Sequence, residues 1–235
     1  MAKKAKSGCG IGGIALLSVL VSMFFIVGNP FYHDVKLGPS FKPKLSSPDP
    51  GFTKYVAQFP LLKLPAKIDA SEVDFQSLKK VKSKDFKRWA TRPSQVQVLQ
   101  GKILEPRAFA AVDFGGRFGL IHVHKTYDDA FGYKTLYFSL TTYSKTSKQK
   151  GSAVIGSYQL GKSSGPIVDF AFQLYKVDRI EIGKKGRIVV EQKRKERVVA
   201  GETTTTFFEF HHAINVAADR TIKQETDSNK VKRDE

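Results

Sequence analysis

Cysteine is almost absent from this 235-residue sequence, which has one such residue, Cys9. A single cysteine excludes an intrachain disulfide framework and any zinc cluster built from cysteine thiolates. Acidic residues are also scarce, since 22 Asp and Glu stand against 39 Lys and Arg, for a formal net charge of +17. The 41% apolar and 26% charged residues are ordinary for a globular chain and argue against global disorder.

Charge is missing altogether from the run Cys9–Gly28, which follows Lys3, Lys4 and Lys6. Twenty helical residues at about 1.5 Å each span about 30 Å, the thickness of the hydrocarbon core of a bilayer. The run therefore predicts a transmembrane signal anchor. The short basic flank predicts that residues 1–8 are cytoplasmic and that the rest of the chain is periplasmic or extracellular. A cleaved signal peptide is the alternative, although Ile26 is bulky for a cleavage site before Asn29.

Proline, glycine and serine dominate residues 29–52, which have five prolines. Because proline fixes φ and removes a backbone donor, we expect an extended linker. A domain over residues 53–223 follows, and the polar residues 224–235 predict a disordered tail.

Helical periodicity after the run 9–28 is confined to residues 71–90, where Phe75, Leu78, Phe86 and Trp89 recur at helical intervals. Ser71 with Asp74 resembles a capping box, and Ser83 offers a second start, so one helix or two short ones fit the pattern. We expect the aromatic side chains to cover a sheet and the basic residues to face solvent.

Residues from 95 onward alternate apolar and polar positions in short runs. In Lys134–Tyr143, for example, Leu136, Phe138 and Leu140 share one face. Period two with β-branched and aromatic residues is typical of half-buried antiparallel strands. Gly183–Gly186 and Ala200-Gly201 predict hairpins. We therefore predict an all-β domain, mainly an antiparallel meander, sandwich or barrel, with a short amphipathic helical segment.

Loose motifs support that interpretation. Phe59-Pro60, Leu64-Pro65 and Ile68-Asp69 are followed by a short helical stretch and by strands that include Leu140–Lys145, LTTYSK. Over residues 55–225 this order resembles exported or membrane-anchored β-rich proteins of Bacteroidota. The resemblance implies an exported β-rich domain and transfers no functional residue.

Histidine is the best probe for chemistry, and His122 and His124 lie two apart in a strand pattern, on one face. Metal sites use this spacing. Because Ile121 and Val123 take the other face, we interpret both histidines as solvent-side residues that bind no metal. We expect no cofactor and no enzymatic activity; a metal-dependent or hydrolytic envelope enzyme using this strand is the alternative.

The basic excess is the remaining signal, because Lys3, Lys4 and Lys6 account for only three of the 39 basic residues. In an extracytoplasmic domain it favours a binding or structural module whose partner is an anionic lipid, an anionic polysaccharide or an acidic protein. Nucleic acid fits only an inverted topology. We expect the first half of the run Arg187–Val199 to pack on the sheet and residues 192–206 to form a two-stranded ribbon projecting beyond the core. The candidate contact residues are Lys193, Arg194, Lys195, Arg197, Lys79, Lys80, Lys84 and Arg88.

The anchor hypothesis predicts that the run Cys9–Gly28 is retained in the mature protein. N-terminal sequencing of the protein from membrane fractions should therefore start near the initiator methionine. A mature sequence that begins at Asn29 would show that the segment is a cleaved signal peptide.

Overall fold

Fourteen strands and two short helices are described by the structure, a computed structural model that covers residues 35–46, 49–93, 96, 102–103, 106–128, 133–164, 170–200, 202–225 and 231–234. The helices are α1 (Pro50–Val56) and α2 (Ser83–Trp89). The strands are β1 (Leu37–Ser40), β2 (Pro60–Leu62), β3 (Ala66–Asp69), β4 (Lys79–Lys80), β5 (Lys102–Ile103), β6 (Arg107–Asp113), β7 (Phe118–Asp128), β8 (Tyr133–Tyr143), β9 (Gln149–Ser164), β10 (Phe170–Ile182), β11 (Arg187–Ala200), β12 (Glu202–Val216), β13 (Ile222–Glu225) and β14 (Val231–Asp234).

Strands β6 to β12 form an antiparallel meander in which each strand pairs with the next one along the chain. The predicted all-β class is confirmed, and the parallel pairing of β2 with β6 makes the sheet mixed. The hairpin predicted at Gly183–Gly186 joins β10 to β11. Gly183 N–H donates to the Arg187 carbonyl at 2.9 Å, and Gly186 has a φ of +88°, which favours glycine.

The sheet branches in the middle of β10. Residues Ala171–Val177 of this strand pair with β9, whereas Arg179–Ile182 pair with β3. Asp178 lies between the two sets, and its Oδ2 accepts hydrogen bonds from the backbone N–H and the hydroxyl of Ser157, at 2.7 and 3.1 Å. The first half of β9 stays with β8, and β3 takes its place beside β10.

The two branches of the sheet contact each other, and apolar side chains of both branches are buried. The guanidinium of Arg117, after the β6–β7 turn, donates to the Val216 and Lys185 carbonyls at 2.7 and 3.1 Å. Thr142 donates to the Arg220 carbonyl at 2.6 Å. Fully buried aliphatic side chains of both branches include Ile121, Val123, Leu140, Ile155, Ile180, Ile188 and Val190.

Strand β7 is buried on both of its faces. Ile121 and Val123 take one face, and the alternate residues Phe118 and Leu120 take the other. This second face is covered by α1, α2 and the segments beside them, in one apolar cluster with Phe118 and Leu120. The covering side chains are Phe41, Phe52, Tyr55, Val56, Phe59, Val81, Phe86 and Ala90.

The predicted linker 29–52 is wrong where the structure describes it. Strand β1 pairs with β2, Phe41 is buried, and α1 begins at Pro50. Asp49 caps this helix, because its Oδ1 accepts from the N–H groups of Gly51 and Phe52 at 2.7 and 3.1 Å. A proline in the first helical turn loses no hydrogen bond, so Pro50 marks a helix start rather than a spacer.

The predicted helical segment 71–90 is confirmed only in its second half, as α2. Polar side chains hold the first half in turns, since Asp69 Oδ1 accepts from the Ser71 N–H at 3.0 Å and Asp74 Oδ1 from the Gln76 N–H at 2.9 Å. Such local hydrogen bonds compete with helical ones. The expected capping box of Ser71 and Asp74 is therefore wrong.

The prediction of a disordered tail at 224–235 is wrong for residues 224–225 and 231–234, the part of it that the structure describes, because β13 and β14 pair with β12. The predicted cytoplasmic tail 1–8, the anchor 9–28 and the start of the linker lie outside the described residues. Within the described ranges, neither helix has the length or the apolar content needed to cross a membrane.

The branch packs so closely that Gly156 has no room for a side chain. A Cβ built there would lie 2.4 Å from Ile180 Cδ1 and 2.7 Å from its Cγ1. We expect Gly156→Ala to lower the free energy of unfolding by about 1–3 kcal/mol, the usual cost of overpacking a core. The measurement is chemical denaturation of the full chain in neutral detergent.

The control for that change is Gly38→Ala on β1, where a new Cβ meets the Leu61 carbonyl oxygen at 3.4 Å, an ordinary contact. Equal stability of the two variants would contradict the close contact between β9 and β10.

Candidate functional site

His122 and His124 lie at the centre of the cluster between β7 and the helices, and each is 0% exposed. The expectation that they face solvent is wrong. The strand alternates as predicted, but α1 and α2 cover the face that carries the histidines. The Phe86 ring of α2 packs edge-on against both imidazoles, with ring centroids 5.1 and 5.5 Å away.

Each imidazole has one hydrogen-bonded nitrogen. His122 Nε2 lies 2.6 Å from the Tyr55 hydroxyl, and His124 Nε2 lies 2.8 Å from the Ser139 hydroxyl. The Nδ1 atom of both rings is buried and has no hydrogen-bond partner among the described residues. The helix α1 presents Tyr55 and the neighbouring strand β8 presents Ser139, so the polar cluster joins the helical layer to the sheet.

Burial decides the charge of this cluster. It lowers the pKa of His122 well below the ordinary value, and the adjacent His124 adds to the effect. Burial and the positive charge of Arg92 lower the pKa of His124 to about 4. Burial also raises the pKa of the Tyr55 hydroxyl. The cluster is therefore uncharged near neutral pH.

This arrangement suits a packed polar core better than a metal site. The imidazole ring centroids are 6.2 Å apart. Across the described residues, no group of three or more His, Cys, Asp or Glu side chains is placed to hold a metal ion. That the two histidines bind no metal stays a prediction.

A cleft of about 280 Å³ opens beside α2. Phe86 lines it and also contacts both imidazoles, so this ring stands between the cleft and the histidine pair. The other lining residues are Ser83, Lys87, Ala90, Thr91, Arg92 and Pro106.

A second cleft, of about 510 Å³, lies at the ends of β6 and β8. Phe41 and Phe118 line its apolar part, with ring centroids 5.5 Å apart. Lys42, Lys44 and Lys145 line its polar part together with Asp113.

Two enzyme-like letter patterns begin in β9. Gly156–Ser163, GSYQLGKS, matches G-x-x-x-x-G-K-S. GKSSG from Gly161 matches G-x-S-x-G, and its last glycine, Gly165, lies outside the described residues. The chemistry of both patterns needs a turn between a strand and a helix. Here Gly156–Ser163 is continuous strand that pairs with β8 and β10, so its N–H groups cannot cradle a phosphate.

The candidate contact residues near α2 do not form one basic helical face. Lys79 and Lys80 lie in β4, opposite Ala108 and Arg107 of β6. Lys84 and Arg88 lie one turn apart in α2, where Arg88 stacks over Trp89 and lies 3.5 Å from Asp49 Oδ2. All four candidates are exposed.

The other four candidates lie on β11, on the side of the branch where β9 and β10 are paired. The predicted two-stranded ribbon is wrong, because β10 pairs with β11 along its whole length and β14 pairs with β12. We call this part of the sheet, residues 158–164, 170–177, 192–200 and 202–210, the extension. Arg194 alternates with the other three candidates and therefore lies on the opposite face, paired with Glu196.

Sequence reasoning missed two buried polar residues, Tyr55 and Asp178. The cap-and-proline pair Asp49-Pro50, with Phe52 and Tyr55 three apart, is a helix-start signal that could have identified Tyr55 as core-facing. Asp178 carries no such signal. In the sequence, an acidic residue at a polar position of an alternating strand is indistinguishable from an ordinary surface residue. In the structure Asp178 is buried, and burial raises the pKa of its carboxyl group.

The fold and these sites define a β-rich protein with a buried histidine–tyrosine cluster and a basic sheet extension. Comparisons with protein-family models, with curated proteins and with solved structures give no match for this chain.

The buried histidines predict loss of stability in acid. A pKa lowered in the folded state means that the unfolded chain binds more protons below pH 6.5, so the free energy of unfolding falls as the pH drops toward 4. Between pH 7 and 5, His124 should account for about 2 kcal/mol of this loss. Denaturation of the full chain at both pH values should show the loss, and His124→Gln should reduce it.

The matched control is His211→Gln, since His211 is exposed on β12. If wild type, His124→Gln and His211→Gln lose the same stability between pH 7 and 5, the histidine cluster does not cause the acid sensitivity.

Proposed function

We propose that the chain is a single-pass, membrane-anchored module whose β domain lies outside the cytoplasm and binds an anionic partner. The observation that carries this proposal is the set of cations on one face of the extension. We call the face that bears Lys193, Lys195 and Arg197 the lysine face.

The anchor rests on sequence. The uncharged run Cys9–Gly28 is long enough to cross a bilayer, and Lys3, Lys4 and Lys6 precede it. A domain held outside the cytoplasm meets anionic lipids, anionic polysaccharides and acidic proteins, which suits a net charge of +17.

The position of the cations on the sheet argues for binding. Lys193, Lys195 and Arg197 alternate along β11, so successive charges lie about 7 Å apart on one face. Packing of like charges along one strand face is unfavourable for the isolated protein and favourable beside a polyanion.

Local carboxylates neutralise only part of this face. Lys193 Nζ lies 3.4 Å from Glu191 and 3.6 Å from Glu209. Within the described part of the chain, no carboxylate is within ion-pair distance of Lys195 or Arg197. The positive charge available to a partner therefore lies toward the outer end of the extension.

The test uses the full chain in neutral polyoxyethylene detergent and fluorescently labelled inorganic polyphosphate as the probe. Each cation near an anionic surface contributes about 1 kcal/mol. Replacing Lys193, Lys195 and Arg197 by glutamine should therefore weaken binding at low salt by about a hundredfold. Added salt should weaken the wild-type complex in the same way.

The matched control replaces Lys148, Lys184 and Lys185 by glutamine. These three lysines are exposed in turns at the other end of the meander. Their replacement therefore removes the same positive charge as the first triple variant does. Equal affinities for the two triple variants would mean that net charge alone attracts the probe, and the lysine face would have no special role.

A further inference from the structure

An exposed aromatic and apolar row crosses the lysine face. Leu160 of β9 is directly opposite Tyr175 of β10, Tyr175 is opposite Lys195 of β11, and Lys195 is opposite Phe207 of β12. Directly opposed residues point to the same side of a sheet. The row therefore places an aliphatic side chain, a tyrosine ring, a lysine and a phenylalanine ring side by side, on adjacent strands about 4.8 Å apart.

The row is open at its apolar end. Leu160 is 49% and Tyr175 39% exposed, and they are two of the four exposed large hydrophobic residues in the part of the chain that the structure describes. Tyr158 lies on the same face and meets Tyr175 edge-on, with ring centroids 6.0 Å apart. This contact fixes the Tyr175 ring and leaves part of it open to solvent.

The cation in the row is held close to the sheet. Lys195 Nζ lies 4.9 Å from the centre of the Phe207 ring, a cation–π contact. Arg197 follows two residues later on the same face, about 7 Å away. A ligand lying on Tyr175 would therefore meet two cations beside it, of which Lys195 is already positioned.

We propose that this row binds an acidic polysaccharide, with a sugar ring stacked on Tyr175 and its anionic groups at Lys195 and Arg197. The C–H face of a sugar ring is apolar and suits an open aromatic ring, whereas its carboxylate or sulfate groups suit neighbouring cations. This inference rests on the proposed function, since it names the class of anionic partner.

Other occupants fit the row less well. A second copy of the chain would bring like charges together on the same face. An anionic bilayer favours apolar side chains that reach past the cations into the acyl region. Here the Lys195 ammonium group lies over the Phe207 ring, and the Tyr175 ring is held against Tyr158.

The experiment measures binding of the full chain, in neutral polyoxyethylene detergent, to labelled polygalacturonate and to labelled polyphosphate. Both probes are polyanions, and only the first has sugar rings. Tyr175→Val should raise the Kd for polygalacturonate roughly tenfold, the typical effect of truncating one well-placed aromatic contact. It should leave the Kd for polyphosphate within about twofold, and Tyr175→Phe, which keeps the ring, should bind both probes like wild type.

The matched control is Tyr127→Val on β7, because Tyr127 is 37% exposed and lies opposite Lys134 in the sheet. It should not change binding of either probe. Circular dichroism and thermal unfolding of every variant check that the sheet is intact, and Tyr175→Phe separates loss of the ring from loss of the strand.

The outcomes separate the two proposals. If the Lys193, Lys195 and Arg197 triple variant loses both probes while Tyr175→Val binds polygalacturonate like wild type, the anionic surface stands and the polysaccharide inference fails. If wild type binds neither probe at low salt, both proposals fail. Displacement of bound polygalacturonate by mixed micelles of phosphatidylglycerol and the detergent, but not by free galacturonate oligomers, would identify a lipid surface and overturn the polysaccharide inference.

Discussion

The carboxylate of Asp178 holds together the point where the sheet divides. At this position β9 leaves β10, and the N–H of Ser157 would lose its ladder partner. Asp178 Oδ2 accepts that N–H and the Ser157 hydroxyl, while the Asp178 carbonyl accepts from Ala70 N–H at 3.0 Å. One residue thus connects three segments. A buried backbone donor without a partner costs about 1–3 kcal/mol. The branch therefore depends on the Asp178 side chain, which takes the place of a neighbouring strand as the acceptor for the Ser157 N–H.

Division of the sheet gives the molecule two different ends. On one side of the branch the strands are covered, and β7 is buried on both faces by the other branch and by the helices. On the other side, the same strands continue into the extension, where Leu160, Tyr175, Lys195 and Arg197 are exposed. The covered end accounts for the neutral histidine cluster, and the extension accounts for the exposed cations and rings. Buried uncharged residues and exposed charged residues are therefore separated along the same strands.

Local patterns in the sequence were sufficient for the strands and insufficient for what covers them. The alternation in β8 and β10 and the Gly183–Gly186 hairpin follow from residues close in the chain. Burial of His122 does not, because it depends on Tyr55 and Phe86, which are 67 and 36 positions away. The candidate site shows the same division: sequence identified Lys193, Lys195 and Arg197, but only the strand register adds Tyr175 from β10. The two-stranded ribbon failed for that reason, since pairing partners are a long-range property.

Strand β12 is the last long strand of the meander, and two short strands share its outer edge. β13 pairs with Ala213–Val216 and β14 with Thr206–Glu209. An uncovered edge presents free N–H and carbonyl groups that template the addition of another chain, the first step of sheet aggregation. The short strand β14, VKRD, carries three charged residues in four. The edge that would otherwise recruit further β-strands thus ends in a segment whose brevity and charge discourage polymerisation.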